Sequence, residues 1–445
     1  MAAFSASRSS RSALAVDDPA APTAVIVDGY STGNFLPRAF AALGVRVVHV
    51  QSTPELMSAI LAPKLDEYTD NHLCAAPDQL EATCTTLVQL KPIAVLAGQE
   101  PGVRLADLLG ERLGVASNGA ASSDGRRDKF VMIESLRSAG LHCAAQAKAA
   151  TAADAVVWAQ HAPGGFPVVV KPLSSASTDH VVICDGPEEV AAAAEAVLGS
   201  TDIFGDTNTE VLVQSYLPGT EYIVDTVSAD GCHYTCGVWQ YRKRTTPSGN
   251  RIYDRDILLD PDEKPVREIV EYVETVLKTL GIRYGPAHAE VIVTPNGPAL
   301  VEIGARLNGN MHPGFHDRCL GVNQADLTAL AYTRPDDFLD RYAGKSYTRV
   351  QPAVVHNTFT ARHGVVEKVD QRTVDRISAL PSVHLVTVKL SAGRVMKPTV
   401  DLLTSPLRIF QTAPDPGVIE ADYRAIQDLK EQVYQLYPKT SDDRW

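Results

Sequence analysis

At 445 residues the chain is too long for one ordinary core, and ~150 residues per domain suggests about three units. With 45% hydrophobic and 21% charged residues its make-up is that of a soluble globular protein. A formal charge of −12 argues against a nucleic-acid groove, which normally carries a basic stripe, and no apolar run reaches the ~20 residues of a membrane helix. Seven cysteines, an odd number without a dense framework, fit a reducing cytoplasm better than a disulfide scaffold, and nothing near Cys232 and Cys236 completes a zinc quartet.

Residues 1–22, rich in Ala and Ser, read as a disordered tail in preference to a transit peptide. Residues 23–125 read as an open α/β domain. Strand Ala24–Val27 leads through Asp28-Gly29 into a helix ending at Gly44, strand Val45–Val50 follows, and strand Ile93–Ala97 runs into Gly98-Gln99-Glu100-Pro101-Gly102 and another helix. Loops after the first and third of these strands lie where such sheets bind ligands, so Gln99 and Glu100 are candidate substrate walls. The glycine spacing does not fit a dinucleotide fingerprint.

Residues 126–215 read as a connecting helix closed by Gly140, then a small α+β module of alternating strands and helices, including strand Phe166–Lys171 and helix Pro187–Leu198. Its size and short connections have the anatomy of a mobile lid. Residues 216–345 read as a strand-rich body with helix Val266–Leu280 and a loop over Asn308–His316. Residues 346–445 read as an α+β segment with strands in Val350–Thr360, Val383–Leu390 and Leu407–Thr412 and a final helix Glu420–Tyr437. The whole is α/β and α+β.

Chemistry concentrates at a few positions. Glu290 and Glu302 sit in short β-branched runs that read as adjacent strands, where two carboxylates can chelate a hard cation that also binds substrate phosphates. Lys129 and Lys171 can neutralise phosphate charge, and Lys171 ends an apolar strand, an odd place for a lysine unless it meets an anion. The stretch Ser174, Ser175, Ser177 and Thr178 offers hydroxyls and backbone N–H groups to phosphates. Arg242-Lys243-Arg244 reads either as a solvated run or as a phosphate clamp, with Lys243 the candidate catalytic cation. Arg306, four residues after Glu302, has a fork suited to a developing oxyanion. His288 shares a strand face with Glu290, and Asn308, Gly309 and His312 follow Arg306 as substrate-pocket candidates. Together these point to phosphoryl transfer from a nucleotide.

The order of lysine, lysine with loop, Gln214-Ser215-Tyr216-Leu217-Pro218-Gly219-Thr220-Glu221, basic run, two acids and arginine resembles the ATP-grasp superfamily of carboxylate–amine ligases, from about residue 23 to about 440. Arg126-Arg127-Asp128-Lys129, the Glu302 to Arg306 spacing and the C-terminal segment look most like the bacterial L-amino-acid ligases, which make dipeptides. The resemblance implies an ATP-grasp fold, ATP phosphates on Lys129 and Lys171 under the 174–178 loop, and adenine on Gln214, Tyr216 and Leu217. It implies ribose on Glu221, Mg²⁺ (Mn²⁺ as an alternative) on Glu290 and Glu302, and an acyl phosphate steadied by Arg306. Three positions depart from it: the loop after Lys171 lacks glycine, Gln214 replaces a frequent glutamate, and Gly304 stands where many members carry a metal-binding asparagine, a role that falls to Asn308 or a water. The expected protein is a cytoplasmic ligase joining amino acids or small peptides, with a homodimer left open. The rivals are a biotin-carboxylase-like enzyme and a non-catalytic ATP-binding module.

Overall fold

A computed structural model gives the architecture and describes residues 16, 18–58, 60–174, 180–202, 204–245 and 251–438. Most of the expected tail, and Ser175, Ser177 and Thr178 of the expected phosphate loop, lie outside the described residues.

The first unit comprises β1 (Thr23–Val27), α1 (Leu36–Ala41), β2 (Arg46–Gln51), β3 (Asp70–Leu73), α2 (Leu80–Val88), β4 (Pro92–Ala97) and α3 (Val103–Leu113). Its sheet runs β3-β2-β1-β4, all parallel. β1 is wholly buried, as its unbroken Ala-Val-Ile-Val run requires for a strand covered on both faces. β3 escapes the sequence pattern because Asp-Asn-His-Leu is polar and sits at the sheet edge. The expected first helix is a 3₁₀ turn over Ser31–Phe35 before α1 begins with Pro37 in its first turn, where a missing N–H costs nothing. A Cβ on Gly98 would lie 2.6 Å from the Gly29 Cα, so the loops after β1 and β4 approach this closely only because residue 98 is glycine.

α4 (Lys129–Ser138) leaves this unit, capped by Asp128, whose carboxylate accepts the N–H groups of Phe130 and Val131. Next come β5 (Gln146–Ala149), α5 (Ala152–Gln160), β6 (Val168–Pro172), β7 (Val182–Cys184), α6 (Pro187–Val197) and β8 (Val211–Ser215). These strands form an antiparallel sheet in the order β5-β8-β6-β7, and Ala155, Ala159 and Ala194 pack the two helices against it in a separate small core.

The body holds β9 (Thr220–Ala229), β10 (Cys232–Thr245), β11 (Arg251–Leu258), α7 (Lys264–Thr279), β12 (Gly285–Thr294), β13 (Gly297–Gly304), α8 (Pro313–Leu320), α9 (Gln324–Thr333) and α10 (Pro335–Tyr342). The chain ends with β14 (Ala353–Asn357), β15 (Gly364–Val369), α11 (Gln371–Ser378), β16 (Val383–Val388), β17 (Val395–Met396), β18 (Leu407–Thr412), α12 (Pro416–Leu429) and β19 (Tyr434–Leu436). Its strands divide: the central sheet runs β13-β12-β9-β10-β11-β14-β18-β16, so three of them extend the body, while β17-β15-β19 form a small sheet of their own. Two expectations are corrected. The Asn308–His316 loop stops at Pro313, which starts α8. The final helix starts earlier, at Pro416 after the Asp415 cap, and ends at Leu429; Tyr434–Leu436 is a strand paired with β15.

Candidate active site

Antiparallel pairing sets Glu290 on β12 directly opposite Glu302 on β13, and His288 opposite Asp225 on the neighbouring β9. Cross-strand partners share a sheet face, so four titratable groups crowd one surface. Each is held. The Tyr241 hydroxyl donates to Glu290 Oε1 at 3.1 Å, and the His288 ring bonds Asp225 Oδ1 at 2.8 Å through Nδ1 and lies 3.7 Å from Glu290 through Nε2. Burial disfavours charge on His288, but the bonds to Asp225 and Glu290 outweigh it and raise its pKa to about 9, so the ring carries a proton at neutral pH. Burial likewise opposes ionisation of Glu302, but the Lys129, Lys171 and Arg306 cations bring it down to about 2. Glu302 is thus anionic at every working pH. Among the described residues no cluster of three or more His, Cys, Asp or Glu side chains suits a metal alone. Two paired carboxylates instead fit a hard ion that completes its shell with water and phosphate, the habit of Mg²⁺.

The lysines come from different elements. The Lys129 N–H donates to the Leu173 carbonyl at 3.0 Å, tying the start of α4 to the end of β6. Lys129 Nζ then reaches Glu302 at 2.5 Å, although a cation in the first helical turn opposes the helix dipole. Lys171 is buried on β6, and burial, reinforced by Lys129, lowers its pKa to about 8 despite Glu302, Glu290 and Glu221. A phosphate group would restore its proton. We therefore expect ATP binding near pH 8 to take up protons, seen as a buffer-dependent binding heat, and ATP affinity to fall as pH rises through 8. Lys171→Arg, which keeps its charge, should remove the uptake, and identical proton uptake in that variant would contradict this placement.

Beside these groups opens a cavity of about 330 Å³ lined by Tyr216, Leu217, Glu221, Lys243, Tyr253 and, from the lid strand β7, Ile183. Glu221 and Lys243 are not separate agents as the sequence suggested; they form an ion pair, with the Tyr253 hydroxyl donating to Glu221 at 3.0 Å and Lys243 Nζ 4.5 Å from the Tyr253 ring centre. Gln214 does not line this cavity. Its amide donates to Gln146 Oε1 at 2.7 Å within the lid sheet. Ser174, the last described residue before His180, has a hydroxyl buried without a partner.

Arg306 Nε donates to Glu100 Oε2 at 2.9 Å and its Nη1 to the Leu307 carbonyl at 3.1 Å, while Arg127 donates to the other Glu100 oxygen at 3.2 Å. Glu100, expected at the substrate, is therefore an orienting carboxylate that fixes the guanidinium and leaves Nη2 outside both bonds. This also explains Gly304: a Cβ there would stand 2.7 Å from Glu100 Oε2 and 3.1 Å from the Arg306 guanidinium carbon. A side chain at this position would have to displace the Glu100–Arg306 pair. Asn308, the expected replacement, donates its amide to Asp225 Oδ2 at 2.8 Å and accepts the Asn310 N–H through its carbonyl oxygen, which keeps a second lone pair. Gln99 caps the 3₁₀ turn ahead of α3 by accepting the Glu100 N–H. His312 occupies the N-cap position of α8 without a capping bond, in an aromatic group with Phe35, His384 and Phe410, and Trp239 lies buried against Phe315 as core. Asp225, Tyr241, Tyr253 and Arg127 were not singled out by sequence, although Asp225 lies at an even spacing from Glu221, which period-two alternation could have flagged.

A sheet carrying paired acids, a lysine-bearing β5–β8 module and an arginine locked beside them is the arrangement of a nucleotide-dependent ligase. Residues 164–313 match the ATP-grasp domain. The chain is 33% identical over 425 residues to dapdiamide A synthase of Enterobacter agglomerans, covering 93% of this chain and 96% of the relative. It therefore belongs to the ATP-grasp superfamily of carboxylate–amine ligases and is an ATP-dependent, ADP-forming ligase. Its fold is also that of an L-amino acid ligase from Bacillus licheniformis, with a TM-score of 0.71 at 20% identity, covering 92% of this chain and 97% of that one. Carboxyaminoimidazole ribonucleotide synthase from Aspergillus clavatus, solved with ATP, superposes with a TM-score of 0.67 at 13% identity over 93% and 99% of the two chains. No helix among the described residues is long and apolar enough to cross a membrane, and all seven cysteines are free.

Proposed function

We propose that the protein joins the carboxylate of one amino acid or small peptide to the amine of another through an acyl phosphate. ATP would phosphorylate the carboxylate, ADP would leave, and the amine would displace phosphate to form the amide. Tyr216 and Leu217 would bound adenine, Glu221 the ribose, and Lys129 and Lys171 the phosphates under the 174–178 loop. Glu290 and Glu302 would hold Mg²⁺, with Mn²⁺ able to take the same oxygens, and the ion would supply charge neutralisation between the phosphates. Arg306, oriented by Glu100, would meet the acyl phosphate and the oxyanion. Gly309 and His288 border the same surface as substrate-side groups.

The observation that carries this reading is the register that opposes Glu290 and Glu302 with Lys129 and Lys171 at the same surface. The amino-acid class is supported by relatives named for dapdiamide synthesis and amino-acid ligation. The free cysteines favour a cytoplasmic enzyme. The test is ADP release over pairs of amino acids with products identified by mass spectrometry. Turnover with an amino-acid pair is the expected outcome; turnover only with bicarbonate would replace the reading by a carboxylating one.

The β5–β8 module has its own core, and we expect it to move as a lid. Hydrogen exchange in residues 146–215 should slow on addition of Mg²⁺ and a non-hydrolysable ATP analogue, with little change in β1–β4. Equal exchange in both states would count against closure.

A further inference from the structure

Three side chains that the reading above leaves unused lie on the same sheet face as the metal-site carboxylates, and a fourth, Lys389, lies just after β16 beside them. Arg408 on β18 pairs across the sheet with Asn357, and two residues along the same strands Phe410 pairs with Val355, Val355 with Asp256, and Asp256 with Tyr241. Tyr241 is the residue whose hydroxyl binds Glu290. Cross-strand partners share a face, so Arg408, Asn357 and Asp256 look onto the reaction surface.

Their bonding is incomplete. Among the described residues neither Arg408 nor the nearby Lys389 forms an ion pair; Arg408 makes only long bonds, to Asn357 Oδ1 at 3.3 Å and the Gly309 carbonyl at 3.4 Å, and Lys389 donates to the Leu402 carbonyl at 2.7 Å. Asp256 accepts the Asn310 amide through Oδ2 at 2.9 Å, while its Oδ1 and the Asn357 amide nitrogen are buried without partners. Burial and Arg408 lower the Lys389 pKa to about 7, and burial raises that of Asp256 to about 7 against Arg408 and Asn310. Two neighbouring cations short of counter-charge, beside an amide nitrogen without an acceptor, form a site that an anion would complete. The loop from Arg306 to Met311 sets the distance scale: Arg306 stands at one end, Gly309 touches Arg408 and Asn310 touches Asp256.

We propose that Arg408 and Lys389 hold the α-carboxylate of the amine-donating amino acid, and that Asp256 takes the proton from its ammonium. This rests on the ligase reading above and names the second substrate as an α-amino acid with a free carboxylate. The step balances. Asp256 removes one proton from the ammonium, and the amine lone pair forms the C–N bond at the acyl-phosphate carbon. The C–O bond to phosphorus-bound oxygen breaks, phosphate leaves with that electron pair, and the second N–H proton passes to the departing phosphate. Asp256 is faced by Arg408, Lys389, Tyr241, His288 and Glu290, so its titration is read only in variants that keep these groups.

The test uses the full-length enzyme with ATP, Mg²⁺ and a saturating carboxylate substrate, varying L-alanine against L-alaninamide and L-valine against L-valinamide as amines. The wild type should favour the free acids by at least ~10-fold in kcat/KM. Arg408→Gln should cost the free acids ~10²-fold, mainly in KM, and the amides less than ~3-fold, as expected for one charge-assisted contact. Lys389→Met should shift the ratio the same way by less. Asp256→Asn should lower kcat for acids and amides alike and remove the acid limb of the pH profile. Equal losses for acids and amides in Arg408→Gln at an unchanged melting temperature, or no wild-type preference, would overturn the carboxylate subsite alone. An intact acid limb in Asp256→Asn would overturn the base. A wild type that releases no ADP with any amino-acid pair would overturn the ligase reading and the subsite with it.

Discussion

Glu302→Ala is expected to abolish turnover while the chain still folds. The substitution removes one of two carboxylates opposed across β12 and β13 and leaves Lys129 without its partner at 2.5 Å. Charge stabilisation by a bound cation is worth several kcal/mol, so a loss of ~10³-fold or more in kcat follows. The folded-state pKa of Glu302, near 2, lies below its ordinary value, so its contribution to stability is present above pH 4.5 and is lost as pH falls toward 2. Both the alanine and the glutamine variant forgo that contribution, and because Glu302→Gln keeps the volume, comparing the two separates lost packing from lost charge. Both should be equally inactive. Near-normal ADP production by either at saturating Mg²⁺ would remove Glu302 from the metal site.

Arg306→Ala should lower kcat by roughly 10²–10³ with ATP affinity nearly unchanged, the range for losing one oxyanion donor. The structure adds a complication. Arg306 is half of a buried pair with Glu100, and deleting one partner of such a pair costs about 3–5 kcal/mol. The rate must therefore be measured below the variant's own melting transition. Arg306→Lys separates the two effects, since its ammonium can still meet Glu100 and recover stability but cannot present the planar edge. It should melt near the wild type and remain slow. A lysine variant that regains full kcat would reduce Arg306 to a structural ion, and an effect confined to the ATP KM would make it a nucleotide ligand.

The two acids and two lysines were legible in sequence because each breaks an apolar β-branched run, where a charge has no reason to be unless something meets it. The opposition of Glu290 to Glu302 followed from their strands being adjacent. The pairing of Glu100 was not legible for the opposite reason: its partners Arg127 and Arg306 come from elsewhere in the chain. Gln214 sits in the segment that the resemblance gave to adenine, yet pairing between β5 and β8 brings it to Gln146. Arg408 and Lys389 were unreadable because the C-terminal strands looked like a separate segment, whereas β14, β16 and β18 continue the central sheet and bring Arg408 on β18 close to Lys389 just after β16. β3 and β19 were missed because short edge strands carry little alternation, and β15, central in its small sheet, because it is only half buried.

Oxygen transfer tests the acyl phosphate most directly. With a carboxylate substrate labelled with ¹⁸O in both oxygens, phosphorylation and displacement must carry one carboxylate oxygen into the released phosphate. The expected result is one ¹⁸O in inorganic phosphate for each amide formed, with ADP as the nucleotide product. Unlabelled phosphate accompanied by amide, or AMP in place of ADP, would contradict the account.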